Sequence, residues 1–167
     1  MTFRNGFAAA LVVGAALVAG LGARGSDAPV MAEETGDLVY QTVQGDFGDV
    51  TLAVEDAIVN RGLVVDYHGF LSKMLERTSE ATGGEAVLAD AEWYQFCSAR
   101  LSQAMIAADP RNVGYCPYSI VVYELATSPG TIHVGYRRPG TAVSEASMKA
   151  LSAVDALLTE IVAEATR

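Results

Sequence analysis

Cysteine and lysine are both scarce in this chain. Each occurs twice in 167 residues, as Cys97 and Cys116 and as Lys73 and Lys149. Two cysteines cannot build a disulfide-rich scaffold. Basic residues number 11 against 20 acidic ones, for a formal net charge of −9. A general phosphate-backbone binder needs a basic face, so no nucleic-acid partner is expected. Charged residues make up only 19% of the chain, while hydrophobic residues reach 51%, which excludes intrinsic disorder. Reaction signatures are missing as well. The chain has no Gly-x-Ser-x-Gly nucleophile elbow, no P-loop and no His-Glu-x-x-His. Cys-x-x-Cys and the haem-attaching Cys-x-x-Cys-His are also absent.

A mean hydropathy of +0.26 raises the question of a membrane protein. The apolar excess is concentrated in one charge-free run, Phe7 to Leu21, preceded by Arg4 and the chain's own amine. As a helix this run rises about 22 Å at roughly 1.5 Å per residue. That falls short of a ~30 Å hydrocarbon core. A basic start and a short Ala/Gly/Val/Leu core form the pattern of a secretory signal peptide. Val30-Met31-Ala32 offers small residues for cleavage before an acidic Glu33-Glu34 start, and Ala23-Arg24-Gly25 is a weaker choice. Residues 1–32 are therefore expected to be a signal peptide, with an uncleaved anchor or a core helix as the alternatives. Residues 33–167 are expected to be one domain, periplasmic or secreted, with no stable membrane span. That mature part has nine basic and nineteen acidic residues, a net −10. The charge serves solubility, or a docking face for a basic partner.

Periodicity divides the mature chain. Glu33 to Asp37 is a polar lead-in, and Leu38 to Val43 alternates as a strand. Asp46 or Asp49 caps a helix carrying Phe47, Val50, Val54, Ala57 and Ile58, which Gly62 stops. Leu63 to Asp66 is a short strand. Phe70 to Ala81 reads as a helix with Leu71, Met74, Leu75 and Thr78 on its apolar side, ended by Gly83-Gly84. Glu92 to Cys97 is a strand. Ser98 caps a helix with Leu101, Ala104, Met105 and Ala108 on one face, which Asp109-Pro110 ends. Tyr118 to Leu125 and Thr131 to Arg137 make a hairpin around Ser128-Pro129-Gly130. Ser144 to Ala165 is the longest helix, with Met148, Leu151, Val154, Leu158 and Ile161 as its stripe. This order predicts an α+β fold: one compact domain with helices packed on a mainly antiparallel sheet. A doubly wound parallel sheet fits less well, because the hairpin forces an antiparallel pair.

The stretch Phe96 to Glu124 carries the candidate chemistry. Cys97 ends a strand just before a helix, where the helix N-terminus favours thiolate. Cys116 lies before the next strand, followed by Pro117. Four readings stay open for the pair. It forms a structural disulfide, as two cysteines in an exported chain commonly do. It is a redox-active or sulfur-carrying pair. It ligates a metal or haem, or both thiols are ordinary buried residues. His68 and Met74 add soft or borderline ligands for copper or haem iron, although Met74 also fits a core position. His133 is expected to face solvent. Arg137 and Arg138 form a candidate anion clamp, with surface ion pairing as the plainer reading. Tyrosines 94, 115, 118, 123 and 136 line a ligand pocket or fill core.

Ordered short motifs carry a resemblance. They are Phe96-Cys97-Ser98-Ala99, Asp109-Pro110-Arg111-Asn112, Cys116-Pro117-Tyr118 and Val122-Tyr123-Glu124. Met74-Leu75-Glu76-Arg77-Thr78 upstream and Tyr136-Arg137-Arg138-Pro139 downstream agree with them. The chain resembles the exported branch of the domain-of-unknown-function 302 family over roughly residues 40 to 140. The resemblance implies a compact α+β domain and a homodimer. It implies no activity and no catalytic residue. The leading expectation is a non-enzymatic exported module that binds a small ligand, copper, haem or a periplasmic redox or metal partner near Cys97, Cys116 and His68. A thiol-dependent redox or sulfur-transfer protein, and a structural domain held by a Cys97–Cys116 disulfide, are the alternatives.

Overall fold

Alternation along each strand decides which face of the sheet meets the helices. In a computed structural model of the chain, residues 32–83, 86–140 and 144–167 are described. The expected signal segment, residues 1–32, lies outside them except for Ala32. The strands are Ala32–Thr35 (β1), Leu38–Gln44 (β2), Val65–Phe70 (β3), Leu88–Phe96 (β4), Tyr118–Leu125 (β5) and Thr131–Arg137 (β6). They form one sheet in the order β1-β2-β6-β5-β4-β3. Every neighbouring pair is antiparallel. The helices are Phe47–Val59 (α1), Leu71–Thr82 (α2), Ala99–Ala108 (α3) and Glu145–Ala165 (α4), with a 3-10 helix at Pro110–Tyr115. This is an α+β fold with helices packed on an antiparallel sheet, as expected. Among the described residues no helix is long and apolar enough to cross a membrane.

Val39, Tyr94, Phe96, Tyr118, Ile120, Val122, Ile132, Val134 and Tyr136 point from the sheet into the main core. They meet Val54 and Ile58 of α1, Leu101 and Met105 of α3, and Leu151, Val154, Leu158 and Ile161 of α4. Tyrosines 94, 118 and 136 are thus core residues. The other face carries Tyr40, Thr42, Trp93, Val121, Tyr123 and His133, all half-buried. His133 lies on that face, but it is half-buried rather than open to solvent, 3.2 Å from the Thr42 hydroxyl and stacked on Tyr123.

Local signals place the helix ends. The Asp46 carboxylate accepts from the Gly48 and Asp49 amides at 2.9 and 3.2 Å. Ser98 caps α3, Ser144 caps α4 and Gly83 ends α2 with a φ of 68°. Several expectations need correction. The polar lead-in includes β1, whose backbone pairs with β2. The third strand begins at Val65, because Leu63 and Val64 precede a register shift between Val65 and Tyr67, and it runs on to Phe70. His68 therefore stands inside a strand, not between strand and helix. β4 starts at Leu88, earlier than expected. Met148 and Met74 are exposed, since the main core does not extend over those helix positions.

Candidate functional site

The β4–β5 register brings the two cysteines together. Phe96 opposes Tyr118 at the last rung of the ladder. The chain leaving β4 at Cys97 and the chain entering β5 through Cys116-Pro117 therefore run side by side. Cys97 Sγ and Cys116 Sγ lie 2.9 Å apart. Both residues are half-buried and neither is bonded covalently. Cys97 precedes Ser98, the N-cap of α3. Cys116 is the C-cap of the 3-10 helix, its amide donating to the Val113 carbonyl, and the Cys116–Pro117 peptide is cis. A covalent S–S bond of about 2.05 Å is a short approach from this arrangement.

A hydroxyl row extends from the pair into the core. Ser102 Oγ lies 3.1 Å from Cys116 Sγ and 3.1 Å from the Tyr118 hydroxyl. Tyr118 in turn reaches the Met105 sulfur at 4.0 Å. Ser102 did not stand out in the sequence. Its only signal is its place in the first turn of the helix that follows Cys97. The pull of the helix N-terminus toward a Cys97 thiolate is opposed by the surroundings of the thiol. Burial, then the hydrogen bond and charge of Cys116, then Asp66, push the Cys97 thiol up to about 11. Ser98 takes the cap, and its hydroxyl accepts from the Leu101 amide at 3.5 Å.

The other candidates lie elsewhere. His68 opposes Tyr94 across β3–β4 and binds Glu92 Oε2 at 2.7 Å. Its ring stacks between Phe70 and Tyr94, with centroids at 4.5 and 4.3 Å. Glu92 also accepts from the Tyr94 hydroxyl at 3.0 Å. Met74 is on α2, which borders a cavity of about 800 Å³ shared with Ala86–Asp90, at the opposite end of β4 from Cys97. The structure does not bring His68 or Met74 to the thiols. Among the described residues no three His, Cys, Asp or Glu side chains gather as a metal cluster. Two thiolates on one tetrahedral metal, each at about 2.3 Å, stand about 3.8 Å apart. The observed pair is tighter, and it would have to open to hold copper or another metal.

Arg137 and Arg138 are engaged in separate ion pairs, as the plainer reading has it. Arg137 pairs with Asp37 at 3.1 Å and Arg138 with Asp155 at 3.2 Å. Asp109 caps the 3-10 helix by accepting from the Arg111 amide at 2.9 Å. The Arg111 side chain, bonded at 2.7 and 3.1 Å, holds that carboxyl below its usual value.

No curated protein matches this chain. Among solved structures, an uncharacterized conserved DUF302 protein from Bacillus stearothermophilus superposes with a TM-score of 0.66. The two share 14% identity over 80% of this chain and 100% of the other, a likeness that speaks for the fold. The sequence profile of the domain of unknown function DUF302 matches residues 39–165, so it extends past the motifs to take in α4, and the chain belongs to that family.

Proposed function

We propose that this protein is an exported thiol–disulfide module, in which Cys97 and Cys116 form and break a bond in exchange with a disulfide-bearing partner. One observation supports it above the others: two half-buried sulfurs 2.9 Å apart at an accessible end of the sheet. The signal-like segment at the N-terminus adds an oxidising compartment, where such chemistry operates. A partner disulfide reacts with one thiolate, forming a mixed disulfide and releasing a partner thiolate. The second cysteine gives up its proton and attacks the first, closing Cys97–Cys116 and releasing the second partner thiol. The pair loses two electrons and the partner gains them.

A structural disulfide is the second reading. It draws on the same proximity and on the buried Ser98, Leu101 and Asn112 enclosed by the loop. Closing about 20 residues stabilises a fold by roughly 3 kcal/mol on the chain-entropy model. Sequential alkylation separates the two. The native protein is alkylated before and after mild treatment with glutathione, and each cysteine is identified by peptide mass. The exchange reading expects both cysteines to be released together by glutathione in the folded state. A bond that opens only after denaturation supports the structural reading.

A further inference from the structure

The thiols of the pair are not equivalent, and three observations separate them. The first is access. Cys97 sits between Phe96, fully buried, and Ser98, also buried. Cys116 sits between half-buried Tyr115 and exposed Pro117. A partner disulfide needs a straight approach to the attacking sulfur, and the open flank lies on the Pro117 side of Cys116.

The second observation is hydrogen bonding. Ser102 lies within 3.1 Å of Cys116 Sγ, and Cys97 Sγ lies within 2.9 Å. When Cys116 ionises, the Ser102 hydroxyl and the Cys97 thiol both donate to it. The Tyr118 hydroxyl turns to support Ser102, giving up only its long 4.0 Å contact to the Met105 sulfur. A thioether is a weak acceptor, so the reversal costs little. The third observation is charge. Asp66 acts against a negative Cys97, whose compensating donor is the Tyr118 backbone amide.

Resting on the exchange reading above, we propose that Cys116 is the reacting thiol, Cys97 the resolving thiol, and Ser102 a positioning residue that holds the Cys116 thiolate. The substrate class is a disulfide, protein or small, presented at the Pro117 side. Cys116 Sγ bonds to one partner sulfur as the partner S–S breaks and the other sulfur leaves as thiolate. The Cys97 thiol then loses its proton to solvent and attacks Cys116 Sγ. The internal bond forms and the first partner sulfur departs as thiolate. Burial supports the order by keeping Cys97 protonated until its turn, with its thiol pushed up to about 11 from 9.0.

The test uses the reduced full-length protein and oxidised glutathione as the probe, at neutral pH. Cys97→Ser keeps a hydroxyl donor beside Cys116. It is expected to form a mixed disulfide severalfold faster than Cys116→Ser, because burial and Asp66 still act on Cys97 when Cys116 is gone. Ser102→Ala in the Cys97→Ser background is expected to slow the reaction and move its pH profile alkaline, and Ser102→Thr to restore both. Circular dichroism of each variant checks that it folds. Should a variant fail to fold, mass mapping of the first glutathionylated cysteine in the wild type at short times takes its place. First labelling at Cys97, equal rates for the two single variants, or a pH profile indifferent to Ser102 would overturn the order. A wild-type pair that still closes would then leave the exchange reading standing. A wild-type pair that never closes would remove both.

Discussion

Asn112 ties the site to the core through a single buried amide. Its Nδ2 donates to the Met105 carbonyl at 2.9 Å and to the Ser147 hydroxyl at 2.7 Å. It thereby fastens the 3-10 helix, and with it Cys116, to α3 and α4. Asn112→Ala strands two buried acceptors, and losing a buried partner costs about 1–3 kcal/mol. Urea unfolding should show that loss, and alkylation of Cys116 in the reduced variant should speed up as its support loosens. At the same scale, Cys97 in a Cys116→Ser variant should keep gaining alkylation rate beyond its ordinary value of 9.0, because burial is the first cause of its shift. A rate plateau at or below that pH would contradict the burial argument. The two cysteines were legible in the sequence as the chemical question, but their partners were not. Ser102, Tyr118 and the His68–Glu92 contact depend on strand register, which pairs residues 14 to 24 positions apart.

Elements were legible where the signal is local. Caps at Asp46, Ser98 and Ser144 and the turn before β6 follow from side chains within four residues of each helix or strand end. Periodicity alone misled in α2, where Met74 and Leu75 look like a core stripe yet stand 37% and 45% exposed. A helical repeat shows that one side is apolar, and says nothing of what covers it. β3 was misplaced because Leu63 and Val64 are apolar, although Val64 is 70% exposed. The close approach of β2 to β6 was invisible, because it rests on Gly135 lying under Tyr40. A β-carbon at Gly135 would collide with the Tyr40 ring and the Val39 carbonyl. The ring can turn, but the carbonyl belongs to the paired strand. Gly135→Ala should therefore destabilise by about 1–3 kcal/mol, as overpacking does. An unchanged urea midpoint would show that β2 shifts freely.

For the whole molecule, buried acids set the alkaline limit. Burial raises the phenols of Tyr94, Tyr118 and Tyr136 above 10.0 and the Cys97 thiol above 9.0. The unfolded chain ionises first as pH rises, so unfolding releases protons and stability declines. This contribution is intact below about pH 9 and is lost progressively as pH climbs through the raised values. Urea unfolding of the reduced protein at pH 7, 9 and 10.5 should show a flat first interval and a fall in the second. The fold class was readable from the hairpin and the spacing of helices, because an antiparallel pair dictates the sheet's character. What the thiols do depends on the equilibrium between their two states, and the most direct measurement is the reduction potential of Cys97–Cys116 against glutathione. The exchange account predicts a potential above about −300 mV, with reduced and oxidised protein both populated in glutathione buffers. A potential below about −300 mV, or no bond under oxidising buffer, would contradict it.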